Sequence, residues 1–259
     1  MNHFDLTPAT ARRILRGLVP DHYLDDDDAA VERLAIAVWN RLTEPGDGTA
    51  GRLIAEKGAV GALRAVEDGS FANYAHVPKQ ERTQALRRWT PRLESSAVDT
   101  ALRLASAARV RMVIPGDPEW PIQLGDLDAH APLCLWARGD VGALARLHPS
   151  MAIVGARAAT SYGEHVAMEL AADLAGSGVP IVSGAAYGID GAAHRAALAV
   201  GGLTVALLAG GVERAYPAGH THLIERIAAQ GVVVSEVPCG SEPTKWRFLQ
   251  RIPQHMCRG

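Results

Sequence analysis

Two glycine-containing loops hold the residues whose types and spacing could do chemistry. The first runs Gly155-Ala156-Arg157-Ala158-Ala159-Thr160-Ser161-Tyr162-Gly163, directly after the apolar run Met151 to Val154. Arg157 offers a planar fork of donors that matches phosphate oxygens. Ser161 and Glu164 have the S-x-x-E spacing of a capping box, which predicts a helix start at this point. Free amides at a helix start favour an anion. The loop is not G-x-G-x-x-G, so a dinucleotide is not implied. A satisfied cap beside a solvated arginine would use the same residues.

The second loop is Ser183-Gly184-Ala185-Ala186-Tyr187-Gly188-Ile189-Asp190. Its glycines and small residues let backbone approach a ligand closely. Asp190 is expected to begin and cap a helix. His194 follows four residues later, on the same helical face. An Asp–His pair can do acid–base work or form a structural hydrogen bond. The second role is favoured here, because no nucleophile is evident. Ser183 lacks the G-x-S-x-G context of a nucleophile elbow.

The elements that must position these loops are legible in the hydrophobic pattern. MAIVG, PIVSG, LTVALLAGG and VVVSE read as strands. Between them GEHVAMELAADLAGSG, GAAHRAALAVGG and HTHLIERIAAQG read as helices. Short apolar strands alternating with helices imply right-handed crossovers and a buried parallel sheet, with ligands at the carboxyl ends of the strands. Gly178, Gly201 and Gly231 are expected to close the three helices. Upstream, RMVIPGDPEWPIQL and APLCLWARGD are strand-forming segments that lead into this domain, placed at 106–259.

Residues 1–105 read as a separate all-α domain. Thr7-Pro8 predicts a cap and a helix to about Leu18. The aspartates Asp25 to Asp28 precede a helix whose buried face is Val31, Leu34, Ala35, Val38, Trp39 and Leu42. Consecutive aspartates cannot converge on one ion, so no metal site is expected there. Glu44 to Gly51 reads as a loop. Short helices near 52–56 and 59–67 follow, then a helical stretch from Lys79 to about Ala107 interrupted at Pro91.

The bulk properties set limits. The chain has 259 residues, 48% of them hydrophobic and 21% charged, as a globular protein does. The net charge is −2 and nearly even, with 14 basic and 15 acidic residues in 1–105 against 12 and 13 in the remainder. A polyanion would therefore be bound by a local arginine cluster or by backbone amides. Cys134, Cys239 and Cys257 have neither zinc nor disulfide-framework spacing. The N-terminus lacks signal-peptide character and no apolar run is long enough to cross a membrane. A cytoplasmic location is expected, with no cofactor and no metal.

The loops resemble those of the DNA-processing protein A (DprA/Smf) family. That family's G-S-R loop with a following Ser/Thr and Tyr-Gly is similar to Gly155-Ala156-Arg157 and Ser161-Tyr162-Gly163. Its S-G-x-A-x-G-I-D-x-x-A-H motif matches Ser183 to Asp190, then Ala193-His194. Tyr216-Pro217, Ser235-Glu236 and Phe248 to Arg251 follow in order. The resemblance implies an α/β fold with a Rossmann-like parallel sheet and a small N-terminal helical domain, SAM-like or helix-hairpin-helix-like. It implies a homodimer that binds single-stranded DNA without sequence preference and loads RecA in natural transformation and recombination. It implies a mediator and not an enzyme. The expected DNA or phosphate contacts are Gly155, Arg157, Ser161, Gly163, Ser183, Gly184, Tyr187, Gly188, Lys245, Arg247 and Arg251. Glu164, Asp190 and His194 are expected as structural caps.

The sequence departs from the family pattern in three places. Tyr187 stands where the family commonly has a basic residue, exchanging a phosphate contact for a stacking surface. The F-P-x-R-N-R run reads Phe248-Leu249-Gln250-Arg251-Ile252-Pro253. The last residues, IPQHMCRG, are unlike the family and suggest truncation after about Arg251. Two other readings stay open: an inactive truncated family member, and a nucleotide-binding enzyme such as a LOG-type nucleoside monophosphate phosphoribohydrolase. The latter expects P-G-G-x-G-T with a glutamate; Gly210-Gly211-Val212-Glu213 supplies only part of it.

Overall fold

The computed structural model describes residues 4–250. The helical part comes first. In α1 (Pro8–Leu15), Thr7 caps the Thr10 amide and Pro8 occupies the first turn. In α2 (Asp27–Leu42), the Asp26 carboxylate accepts from the Ala29 amide at 2.7 Å, and Asp27 and Asp28 sit at the positive end of the helix. The element α3 (Gly48–Glu67) begins earlier than the sequence suggests, because Asp47 caps the Ala50 amide. Its kink falls at Gly58, in the left-handed region, where the Glu32 carboxylate takes the Ala59 and Val60 amides and restarts the helix. The helices α4 (Lys79–Trp89) and α5 (Ser95–Ala107) are parted by a 3-10 turn at Pro91. Trp39, Trp89 and Phe71 form the aromatic centre of this part, with Trp39 edge-on to Trp89 at 5.0 Å.

The described residues then form β1 (Arg111–Val113), β2 (Leu135–Gly139), β3 (Met151–Ala152), α6 (Ser161–Gly176), β4 (Ile181–Ser183), α7 (Ile189–Ala199), β5 (Thr204–Leu208), α8 (Thr221–Gln230), β6 (Val232–Ser235) and α9 (Lys245–Gln250). The six strands lie in the order β1-β2-β6-β5-β4-β3. Neighbours from β3 to β6 pair in parallel. The leading strands β1 and β2 pair antiparallel with each other and with β6, so the sheet is largely rather than wholly parallel. The order β6-β5-β4-β3 never reverses. Right-handed crossovers stepping one way across a sheet put α6, α7 and α8 on one face.

Alternation along the strands serves both faces. Ala206, Leu208 and Val233 share a core with Leu198, Leu223, Ile224 and Ile227 of α7 and α8. Val182, Val205, Leu207, Val232 and Val234 meet Trp120, Leu124, Leu144 and Leu147 on the other face. The expected five-residue strand at MAIVG is shorter, with only Met151 and Ala152 in the ladder; the Ile153 amide still reaches Val182 O at 3.0 Å. Val154 and the outer α6 side chains Val166, Met168 and Leu170 remain exposed along this edge. Gly231 closes α8, but in extended rather than left-handed backbone. Its side-chain position faces the Thr204 carbonyl, which is why no Cβ fits there.

The helical part packs against the sheet. Met112, Cys134 and Trp136 share one hydrophobic core with Leu34, Val38 and Leu42. Trp136 Nε1 donates to Asn40 Oδ1 at 2.8 Å, and Asn40 Nδ2 donates to the Glu236 carbonyl at 2.8 Å. A buried ion pair joins Arg33 to Asp117, with Nη1 to Oδ2 at 3.0 Å. Among the described residues no helix is long and apolar enough to cross a membrane.

Candidate nucleic-acid interface

The two loops leave adjacent parallel strands, β3 and β4, at their carboxyl ends. A single carboxylate folds them together. Asp190 lies one residue inside α7 and is 3% exposed. Its Oδ1 accepts from the Gly155 amide at 3.3 Å, and its Oδ2 accepts from Gly184 at 3.1 Å and Ala186 at 3.4 Å. The Ile189 amide donates to Ala156 O at 3.2 Å. Gly188 has φ 72°, and a Cβ there would strike the Ala156 carbonyl, so only glycine lets the two backbones touch. Ser183 is fully buried and its hydroxyl donates to Ile153 O at 2.6 Å, which clamps the end of β3 to β4.

These bonds correct several expectations. Asp190 is not the cap of its own helix; Gly188 occupies that position and makes no side-chain bond. The amides of Gly155 and Gly184 are engaged by Asp190, and Ser183 faces the interior, so these three groups shape the loops from within. At α6 the capping residue is Thr160, whose Oγ1 accepts from Gly163 N at 3.1 Å. Ser161 is already helical, because the Thr160 carbonyl takes the Glu164 amide at 3.0 Å. The cap therefore falls one residue earlier, Gly163 has no side chain to complete a box, and among the described residues Glu164 makes no capping bond. His194 is fully buried with Nδ1 at 2.7 Å from Thr204 Oγ1. The Thr204 hydroxyl donates to Ile181 O at 3.0 Å, so the proton in the first bond sits on His194 Nδ1.

The outward groups are cationic and aromatic. Arg157 is exposed and its guanidinium carbon lies 4.6 Å over the Phe248 ring. Phe248 in turn lies 5.5 Å from Tyr216. Tyr187 is 45% exposed and meets His220 edge-on at 4.8 Å. His220 is anchored by its Nδ1, 3.0 Å from Ala185 O. Lys245 is exposed, as are Tyr162 and Trp246. Arg247 is not available as a surface cation, because its Nε and Nη2 pair with Glu44 at 2.8 and 2.9 Å and its Nη1 donates to Glu242 O. Arg251 lies outside the described residues. Sequence reasoning missed Thr160, His220 and the Arg157–Phe248 stack. The Thr160-x-x-Gly163 spacing could have shown the first; the stack joins residues 91 positions apart and had no local signal.

Among the described residues no cluster of His, Cys, Asp and Glu could hold a metal ion. Glu213, which follows Gly210-Gly211, accepts from Gly240 N at 2.8 Å and so ties the loops after β5 and β6. Burial, reinforced by Glu213, pushes the Cys239 thiol well above its ordinary range. Burial does the same to Cys134.

Comparison with known proteins agrees with this architecture. The family model described as DNA recombination-mediator protein A matches residues 111–252, which include both loops. A DprA relative from Mycobacterium tuberculosis (strain ATCC 25618 / H37Rv) is 41% identical over 227 residues, covering 84% of this chain and 56% of the relative. DNA processing protein DprA of Bacillus subtilis is 37% identical over 120 residues, 46% of this chain and 40% of that protein. The chain thus spans about half the length of the curated relatives it matches. The X-ray structure of DNA processing protein A from Streptococcus pneumoniae superposes with TM-score 0.65 at 22% identity, over 86% of this chain and 75% of that one, a likeness of fold. With more than half its residues inside that family model, and the matched span carrying both loops that Asp190 ties together, the chain belongs to the DNA recombination-mediator protein A family.

Proposed function

We propose that this chain binds single-stranded DNA without sequence preference along the loops after β3 and β4, as a homodimer, and delivers the strand to RecA. It acts by binding and not by catalysis. One observation carries the reading: Asp190 draws the two loops together and leaves Arg157 and Tyr187 facing solvent. A cation beside aromatic rings is what a single strand requires. The guanidinium takes phosphate, and the ring stacks on any base, so binding tolerates sequence. Family membership supports the same reading, since the relatives are named for DNA processing. Tyr187, Tyr216 and Tyr162 supply exposed rings, and Lys245 adds charge at the margin.

The test is fluorescence anisotropy with labelled oligo-dT, a duplex control and a salt titration. Selective, salt-sensitive binding of the single strand supports the reading. Equal affinity for duplex and single strand contradicts it. Delivery to RecA is tested separately, by whether the chain speeds RecA filament formation on DNA coated with single-strand-binding protein.

A further inference from the structure

A second basic site lies in the helical part. Between α1 and α5 runs an open cleft of about 520 Å³. Arg13 and Arg16 line one wall; Arg103, Ser96, Thr100 and Ser106 line the other. Ile14 and Leu102 form an apolar floor, and Asp99 is the one acidic residue in the lining. Three guanidinium groups against one carboxylate is a strong local excess in a chain whose net charge is −2.

The arginines differ in what holds them. Arg12, on the neighbouring face of α1, is engaged in structure: its Nε donates to Leu24 O at 2.9 Å and it pairs with Asp27. Arg103 lies back on its own helix, with Nε on Asp99 O at 3.3 Å and Nη2 on Thr100 Oγ1 at 3.1 Å. Arg13 and Arg16 are exposed, and among the described residues neither has an ion pair or a side-chain hydrogen bond. Arg13 also attracts the exposed Asp5 carboxylate, so Arg16 is the freer fork. Exposed guanidinium groups beside hydroxyl donors are suited to phosphate oxygens. The helix α5 also reaches the loops at the carboxyl edge of the sheet. Leu104 of α5 packs at Gly240, in the loop after β6, and Gly240 is bonded to Glu213 in the loop after β5.

We propose that the α1/α5 cleft is a second phosphate-binding site, filled by the backbone of a single DNA strand that has already crossed the loops of the sheet. The proposal rests on the single-strand reading above. From the Tyr187 loop the path crosses two strand spacings and one helix, roughly 20 Å. That corresponds to roughly six nucleotides at the phosphate spacing of a stacked strand.

The experiment compares a short oligo-dT, long enough for the sheet loops alone, with one about three times longer. The proteins are the parent chain, Arg13→Ala/Arg16→Ala, Arg13→Lys/Arg16→Lys and Arg157→Ala. For the long strand, the double alanine variant is expected to flatten the log–log salt dependence by about 1.4, two single-strand contacts, and the lysine variant to retain most of the slope. The short strand should bind that variant as it binds the parent, while Arg157→Ala weakens both strands. Unchanged thermal melting checks that the exposed substitutions leave the fold intact. Parent-like binding of the long strand by the double alanine variant overturns the second site and leaves the loop site standing. Equal loss for both strands also overturns it. A parent chain that binds neither strand removes the single-strand reading and this inference together. Inorganic phosphate at constant ionic strength is the last arm; if it selectively removes the long strand's extra affinity, the cleft belongs to free phosphate instead.

Discussion

Asp190 reaches from the first turn of α7 to the amide of Gly155, 3.3 Å away on a loop that belongs to a different strand. Its other oxygen holds Gly184 and Ala186. The two loops are therefore assembled around one buried carboxylate. Asp190→Ala would strand the buried amides of Gly184 and Ala186 and release the exposed loop at Gly155. A loss of about 3–5 kcal/mol in urea unfolding is expected, with loss of oligonucleotide binding. Asp190→Asn keeps one acceptor and should lose less. An alanine variant of parental stability would show that the loops are held by something else.

Tyr187 should act through its ring. Tyr187→Ala is expected to weaken oligo-dT binding by about 1–3 kcal/mol, the worth of one base stack, and Tyr187→Phe to bind nearly as the parent does. Its hydroxyl faces Gly219, so a phenylalanine that failed like alanine would point to that contact and not to stacking.

The pairing of Glu44 with Arg247 joins the helical part to α9. Burial pushes the Glu44 carboxyl up, but hydrogen bonds and charge from Arg247 and Arg92 outweigh it and leave it below its ordinary value. A carboxyl depressed in the folded state contributes stability above its unfolded pKa of about 4.3 and loses it as pH falls through the lower folded value. The parent should lose stability in that acid window more steeply than Glu44→Gln. A double-mutant cycle with Arg247→Ala should give a coupling of roughly 1 kcal/mol at neutral pH. Zero coupling would separate α9 from the helical part.

Glu236 shows the opposite sign. It lines a small cleft with Asn40 and Thr43, and burial pushes its carboxyl up to about 8. The folded state then holds a proton that the unfolded chain has released. Stability is full below about pH 4.3 and declines as pH rises towards 8. Glu236→Gln should flatten that decline and raise stability at pH 9 by on the order of 2 kcal/mol. Matching pH profiles for the variant and the parent would contradict this assignment.

How much of this was legible in the sequence follows from range. The alternation from Met151 to Glu236 is local, and it placed β4 to β6 and the three crossover helices within a few residues. The caps at Thr7 and Asp26 are also local. The α6 cap slipped by one because Thr160 and Ser161 are both competent hydroxyls, and only backbone geometry separates them. Strand direction was not readable, since nothing in RMV or LWARG distinguishes antiparallel from parallel pairing. At the candidate site the residue types were visible and their orientation was not. Gly155, Gly184 and Ser183 carried the pattern of a phosphate loop but are bonded inward. Arg247 looked like a free cation because Glu44 lies 203 residues away in sequence.

The most direct measurement is the salt dependence of oligo-dT binding for the parent chain and Arg157→Ala, followed by anisotropy. The account predicts that the parent prefers the single strand to the duplex, and that losing Arg157 weakens binding and flattens the log–log slope by about 0.7. An Arg157→Ala protein that binds as the parent does at every salt concentration would contradict it, because the loops that Asp190 draws together would then not be where the DNA lies.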